Sequence, residues 1–451
     1  MRILFISANR EICGGPVAPL GIATLLAELT SQYEVQVLDL AFADDWIKSI
    51  SNCCATYQPN IIAISIRNLD NSDYKSFFSY LDYYDELATH IKKTSFATTI
   101  VGGSGFSIAP RDIMKRLRFD YGIVGSGEVV LQKLVNAVVK KMPTDDIANV
   151  YCWKGDKLHF TGSFNMYSAI FNRPDRSQIA QHFLDIGDMG NIETSRGCQF
   201  TCCYCVIPQM TKQVYAKPIK NIIIELSDMK AMGYTKVFFT DNILNYNRNR
   251  FINLCTRIQN NNLSDMEYSC QIEPSNFDEV SASNAKKAGF KSIKVSALSY
   301  SDAVLKANGK KFLNSDLNRL VDLSIKYSID LDMHFIFGLI NETPDSVRTT
   351  VEYINSINNQ NISCSYDFGC RVFENTPLFI HLCENQEIRD IHEPIFYISN
   401  YVKENIDYIE SAINKKNATN NQDFWKALVY KLATPKKRRL FLDKMVAKKN
   451  P

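Results

Sequence analysis

Three cysteines in one short loop carry the clearest chemical signal in this sequence. Cys198, Cys202 and Cys205 stand in C-x3-C-x2-C spacing within NIETSRGCQFTCCYCVIP, directly after a run that reads as a strand. Three thiolates from one loop can hold three irons of a cubane, and no fourth cysteine follows at ferredoxin-like spacing. One iron is then left without a protein ligand, and an open metal position is what a catalytic site needs. The three residues are therefore expected to be both metal ligands and catalytic centre. The bland alternative is a structural zinc site with Cys203 as fourth thiolate. Cys203 neighbours Cys202, which strains tetrahedral ligation, and no CxxC partner pair is present. Cys203 and the other nine cysteines (Cys13, Cys53, Cys54, Cys152, Cys255, Cys270, Cys364, Cys370 and Cys383) read as core or incidental. Of these, Cys370 near the end of a late strand is the one most worth testing.

The rest of the chain must position that loop. Its 451 residues suggest two or three domains. Apolar residues make up 45% and charged residues 22%, so a large core can form and disorder is not expected. A net charge of +3, spread over the whole length, gives no general argument for nucleic acid as partner. MRILFISANR reads as a strand without the h-region and cleavage site of a signal peptide. No apolar run approaches the roughly 20 residues of a membrane span. A cytoplasmic protein with no membrane partner is expected. Thirteen cysteines without a secretion signal argue against a disulfide framework.

Short apolar runs alternate with helical stretches through the first part. Strands are expected at Ile3–Ser7, Val35–Leu38, Ile61–Ile66, Thr99–Val101 and Tyr121–Val124. Helices are expected near Leu20–Leu29, Asp44–Tyr57, Tyr74–Lys93, Arg111–Leu117 and Val129–Lys140. Such units build a doubly wound parallel sheet, with ligands beyond the carboxyl ends of its strands. Those ends are polar or Gly-rich: Asn9–Pro19, RNLDN (Arg67–Asn71), GGSGFS (Gly102–Ser107) and GSGE (Gly125–Glu128). From about Met142 to Gly190 the rhythm is lost, and Val150–Phe160 reads as a hairpin turning at Lys154–Asp156. A second series has strands at Ile192–Thr194, Lys236–Thr240, Tyr268–Ile272, Ser292–Val295, Asp332–Phe337 and Ser365–Phe368. Six βα units suit an open, partial barrel better than a closed eight-fold one. The expected division is an α/β sheet domain over 1–145, a connector over 146–190, a partial (β/α)6 barrel over 191–383 and a helical tail over 384–451. The tail ends in a basic stretch, Lys436–Arg439.

The cysteine loop, with Tyr204 before its last cysteine, resembles the radical S-adenosylmethionine (SAM) superfamily. Arg196-Gly197, Glu225–Asn242, FIFGLINET (Phe335–Thr343) and RVFENTPL (Arg371–Leu378) resemble the family's partial TIM-like barrel. The resemblance implies a 4Fe–4S cluster whose open iron is chelated by the amine and carboxylate of SAM. It also implies an electron donor such as flavodoxin or ferredoxin, and cleavage of SAM to methionine and a 5′-deoxyadenosyl radical. Tyr204 is implied as a cofactor contact. The family's Gly-Gly-Glu after the second barrel strand is replaced by Thr240-Asp241-Asn242. Asp241 is then the expected acceptor of the SAM amine, with Glu273 and Ser296 on the SAM carboxylate or ribose. Ile340 and Asn341 stand where the family often has Pro-Gly.

The first domain resembles the Rossmann-like cobalamin-binding domain of class B radical SAM methyltransferases. Pro19-Leu20-Gly21, Val101-Gly102-Gly103 and DYGIVGSGE (Asp120–Glu128) carry that likeness. RNLDN points to the subgroup of the thiopeptide tryptophan methyltransferase, where an arginine lies under the cobalt; Arg67 matches it. The resemblance implies cobalamin contacts from Arg67, Asn68, Gly102, Gly103, Ser104, Gly125, Gly127 and Glu128. The D-x-H-x-x-G motif is absent and the first histidine is His90, which fits a cobalt without an imidazole ligand. The expected function is methyl transfer from SAM via methylcobalamin to an unactivated carbon of a small molecule or natural product, with an aromatic amino acid hinted at. The rivals are a non-methylating cobalamin-dependent rearrangement or cyclisation, a transfer-RNA methylthiotransferase lacking its second set of cysteines, and a non-enzymatic sensor.

Overall fold

The strands of the N-terminal half are apolar at successive positions because both faces of their sheet are covered. The computed structural model describes residues 1–10, 17–162, 169–186, 189–211, 213–385, 394–414 and 418–420. Cys13 and the basic stretch Lys436–Arg439 lie outside them.

The first sheet contains β1 (Arg2–Ser7), β2 (Glu34–Asp39), β3 (Ile61–Ser65), β4 (Thr98–Gly102), β5 (Tyr121–Ile123), β6 (Val150–Lys154) and β7 (Lys157–Phe160). Their order is β2-β1-β3-β4-β5-β6-β7, with the first five parallel. Leu4, Ile6, Ile62 and Ile64 pack on one face with helices 46–57, 81–94 and 110–117. Ile3, Phe5, Ile61 and Ala63 pack on the other with helices 20–29 and 128–140. A parallel strand buried on both faces reads as a continuous apolar run.

Two expectations are corrected here. Residues 150–160, expected in the connector, pair antiparallel with β5 and extend the first sheet. The helix expected over Tyr74–Lys93 begins only at Leu81. Asn71 accepts from the Phe78 N–H and donates to the Ser76 carbonyl, while Asp73 accepts from the N–H groups of Lys75 and Ser76. Short polar side chains bonding the nearby backbone offer it an alternative to the helix.

The second sheet is built from β8 (Met189–Ile192), β11 (Lys236–Phe239), β12 (Glu267–Gln271), β13 (Phe290–Leu298), β14 (Asp330–Phe337), β15 (Ile362–Phe368) and β18 (Ala418–Asn420). All neighbours are parallel and follow chain order, β8-β11-β12-β13-β14-β15-β18. The six strands of the partial barrel are joined by one short seventh. β9 (Ser195–Arg196) pairs with β10 (Tyr215–Ala216), and β16 (Cys370–Val372) with β17 (Ile395–Tyr397). The tail, expected to be helical, thus contributes two strands beside helices 400–404 and 406–412.

Barrel strands bury every second residue against the helices: Ile293, Val295, Leu331, Met333 and Phe335 belong to one core. Residues between them point to the opposite face, because side chains alternate along a strand. Among the described residues no helix is long and apolar enough to cross a membrane.

Candidate active site

The cysteine loop is closed at its base by the β9–β10 ladder. Gly197 opens it with φ +89°, and a Cβ there would meet the Gln213 carbonyl oxygen at 2.4 Å. Only glycine lets the two ends of the loop cross so closely. Cys203 anchors the loop from below. It is buried, its N–H donates to the Asn308 carbonyl, its thiol faces Asn308 Oδ1 at 3.3 Å, and its carbonyl accepts from Leu378 N–H. It is therefore turned away from Cys198, Cys202 and Cys205, which are all half-buried. Burial raises the Cys198 thiol and pushes Cys205 up to about 11, and the neighbouring loop thiols raise both further. The three therefore lie close enough in the loop to influence one another's charge. A bound cation reverses this effect and holds thiols as thiolates. Among the described residues no three His, Cys, Asp or Glu side chains converge as ligands of one metal ion would. Thiols that each take a different iron of a cluster need no such convergence, so the donor set fits a cubane. Cys370 is buried in β16 among apolar neighbours, a core position.

Lys310 was not anticipated from sequence. It follows Gly309, whose φ is +77° and whose Cβ would meet the Thr201 carbonyl at 2.4 Å, so this turn lies against the cysteine loop. The signal was the turn pair Asn308-Gly309. Lys310 lies beside Tyr204, Cys202 and Glu273. Burial alone would lower its pKa, but these partners hold it above its ordinary value. Burial pushes Glu273 up to about 7, opposed by Lys310 and Ser275. Tyr204 and Glu273 both lie beside Lys310. Ser296 is half-buried on β13, level with His334. Asp241 is different. It is buried and accepts from Thr194 N–H (3.1 Å), Thr194 Oγ1 (2.8 Å) and Ser195 Oγ. Asp241, expected as the SAM-amine acceptor, thus ties β11 to the β8–β9 turn, with two bonds on Oδ1 and one on Oδ2.

At the carboxyl ends of the first sheet Arg67 is exposed, and Tyr84 fixes its turn through an O–H to the Asn68 carbonyl at 2.7 Å. Ser104 Oγ donates to the Arg67 carbonyl, and Gly125 N–H to Ser107 Oγ, so three turns are tied together. Arg67, Asn68, Gly102, Gly103, Ser104 and Gly125 share this rim. Gly103 answers an internal need: at φ +104° its Cβ would strike the Ile66 carbonyl at 2.4 Å. Asp70 does not pair with Arg67; it accepts from Arg371 Nε of the barrel at 3.0 Å. Glu128, expected as a cofactor contact, is buried and paired with Arg196. Arg196 also binds Glu193 at 2.8 Å and lies over the Phe171 ring at 4.5 Å. Glu128 and Asp70 follow β5 and β3, while Arg196 and Arg371 follow β8 and β15. The carboxyl ends of the two sheets therefore abut, with the cysteine loop beside the seam.

The radical SAM superfamily model matches residues 192–354. Residues 192–354 are a radical SAM domain. An uncharacterized methyltransferase of Pyrococcus horikoshii is 23% identical over 367 residues, 78% of this chain and 77% of the relative. Tryptophan 2-C-methyltransferase of Streptomyces laurentii is 22% identical over 404 residues, 75% of this chain and 67% of the relative. The radical SAM methyltransferase TsrM from Kitasatospora setae, solved with tryptophan and aza-SAM bound, superposes with a TM-score of 0.85 at 21% identity, covering 99% of each chain. Its structure with cobalamin and a [4Fe–4S] cluster gives 0.78 at 22% identity over 96% of this chain and 91% of that one. At such identities the likeness fixes the fold: the radical SAM domain and the sheet before it share the architecture of TsrM.

Proposed function

We propose that this chain is a cobalamin-dependent radical SAM methyltransferase. It moves the methyl group of SAM to an unactivated carbon of a small molecule, of which an aromatic amino acid is the favoured class. One observation carries this reading. The buried pair Glu128–Arg196 and the partly buried pair Asp70–Arg371 hold the carboxyl ends of the parallel strands of two sheets together, one presenting three half-buried thiols and the other an exposed arginine among glycine-rich turns. Support comes from TsrM, whose structures carry cobalamin, a [4Fe–4S] cluster, a SAM analogue and tryptophan.

Cys198, Cys202 and Cys205 would hold the cluster, and the rim from Arg67 to Gly125 the corrinoid. When bound, the cluster supplies an electron and an iron open to the amine and carboxylate of SAM, and cobalamin a metal able to carry a methyl group. The protein's own residues set the surroundings. The Cys203–Asn308 anchor fixes the loop, and Lys310 and Glu273 stand beside it. A flavodoxin or ferredoxin would deliver the electron.

Protein prepared without oxygen and reconstituted with iron, sulfide and hydroxocobalamin should hold about four irons per chain and a corrinoid. It should form S-adenosylhomocysteine from SAM only with the corrinoid present. Arg67→Ala should keep the iron but change the visible spectrum of the bound corrinoid. Colourless, iron-free protein, or zinc on the three thiols, contradicts the proposal.

A further inference from the structure

The chain that follows β3 leaves the first sheet and is stitched to the barrel. Three residues past Arg67, Asp70 Oδ2 accepts from Arg371 Nε at 3.0 Å in a partly buried pair. Asp70 Oδ1 accepts from the N–H and the hydroxyl of Ser72, at 2.9 and 3.1 Å. Lys75 then reaches Glu410 of helix 406–412 at 2.7 Å. Its nitrogen also lies 5.8 Å from the ring centroid of Phe368, the last residue of β15. Tyr74 and Phe77 meet the Phe396 ring edge-on, with centroids 5.9 and 5.6 Å apart. Phe396 lies on β17, directly opposite Arg371 on β16.

Both ends of this stitch lead to a candidate cofactor site. Toward the first sheet lies the rim, where the Arg67 carbonyl accepts from Ser104 Oγ at 3.1 Å and the Asn68 carbonyl from Tyr84 O–H at 2.7 Å. Toward the barrel, the chain runs from β16 into helix 377–384, capped by Thr376, whose hydroxyl accepts from Phe379 N–H at 3.2 Å. In that first turn the Leu378 N–H donates to the Cys203 carbonyl at 3.0 Å, so the chain from Arg371 ends on the cysteine loop.

Each sheet is packed on cores of its own. A half-exposed ion pair such as Lys75–Glu410 adds little to stability. What these contacts fix is the placement of one sheet against the other. Glu128–Arg196 pins the segment after β5 to β9, just before the cysteine loop. One pin leaves rotation about it free, and the stitch after β3 removes that freedom.

We propose that residues 70–77, anchored by Arg371, are positioning residues that set the spacing between the corrinoid rim and the cysteine loop. They act through the Arg67 turn on one side and through Cys203 on the other. The inference rests on the functional reading above and adds to it the device that holds two metal sites at one distance. Transfer between them depends on that distance, since a misplacement of about 1 Å can cost roughly 10²-fold in rate.

Holoprotein loaded with cluster and cobalamin is frozen and irradiated at low temperature, which adds an electron to each metal site. Both are then paramagnetic, and electron paramagnetic resonance reads their magnetic coupling, which falls steeply with separation. The wild type should show one well-defined coupling. Arg371→Met and Asp70→Asn should keep iron and corrinoid but give a weaker or spread coupling. Arg371→Lys, which keeps the charge, should retain more of it. Lys75→Glu and Glu410→Lys each set like charges together and should disturb the coupling, and the double variant should restore it. The single variants should lose methyl transfer by roughly 10- to 100-fold. SAM's effect on the cluster spectrum, read without corrinoid, should stay as in the wild type, which a general loss of structure would not allow.

Absence of coupling in the wild type overturns the inference. So does an unchanged coupling in the single variants, or a double variant as disturbed as its parents. If Arg371→Met does not fold, the exposed Lys75–Glu410 exchange decides alone. A chain that takes up the cluster but no corrinoid overturns both this inference and the functional reading. A coupling that responds as described, with no methylated product, leaves the device standing and removes methyl transfer. Methylation with a coupling indifferent to every variant does the reverse.

Discussion

The two parallel sheets of this chain solve the same problem with opposite faces. In the N-terminal sheet Ile3 to Ile6 and Ile61 to Ile64 alternate between two apolar cores, so no strand interior is open to a ligand. The polar and glycine-rich turns stand at the strand ends, at Arg67, Gly102–Ser104 and Gly125. In the barrel only one face meets helices, and Lys294, Ser296, Asp332, His334 and Asp367 line the other. A flat sheet covered on both sides can hold a cofactor only at its edge, whereas a curved one can also hold a ligand inside. The two regions then differ in what a mutation should break.

The largest effect belongs to the cysteine loop. Alanine at Cys198, Cys202 or Cys205 should strip the iron and leave corrinoid binding intact, whereas Cys203→Ala should keep the cluster, because that thiol faces Asn308. Iron and sulfide analysis beside the corrinoid spectrum reads both. Next comes the barrel's buried triad. Glu225 accepts from Arg176 and Lys217, both at 2.7 Å and both buried. Glu225→Ala leaves two uncompensated cations and should cost about 3–5 kcal/mol of stability in urea unfolding. Gly103→Ala tests the other sheet. A Cβ at 2.4 Å from the Ile66 carbonyl and a positive φ should cost about 1–3 kcal/mol. Corrinoid retention should fall while the iron stays at its wild-type level; equal loss of both would show that the two regions do not act separately.

The smallest effect is a pH dependence in the loop after β14. Burial pushes Glu342 up to about 7 from an ordinary value of 4.5, against the N–H groups of Gly338 and Leu339, which lower it. The folded chain thus keeps a proton that the unfolded chain has lost. That stabilisation is complete below pH 4.5 and is lost as the pH rises through about 7. Glu342→Gln should remove this contribution, so the urea midpoint of the wild type should fall relative to the variant across that window. A constant difference between the two would show that Glu342 does not titrate there.

The sequence was most legible where period and spacing are strict. Leu20–Leu29 forms a helix with the bounds its apolar pattern suggested, whereas the strand expected at Ile192–Thr194 before the C-x3-C-x2-C loop runs Met189–Ile192, with the short Ser195–Arg196 strand after it. It was least legible where chain-distant groups meet. Asp241 looked like a ligand at a strand end, yet Thr194 and Ser195 occupy its oxygens. Glu128 looked like a cofactor contact, yet its partner Arg196 lies 68 residues on. Lys310 could be sensed only through the Asn308-Gly309 turn. The alternation in IKVS, LDMHF and SYDF did signal a polar barrel face, because parallel strands buried on both sides lack it. Attention to strand ends alone passed over it.

The most direct test of the whole account is the fate of the methyl group. Reconstituted protein is given SAM carrying a deuterated methyl, reductant, cobalamin and an aromatic amino acid, and the products are weighed by mass spectrometry. The account predicts an amino acid carrying the intact labelled methyl on carbon, formed together with S-adenosylhomocysteine. A product of unchanged mass, with SAM converted only to methionine and 5′-deoxyadenosine, would contradict it and favour a cobalamin-dependent rearrangement.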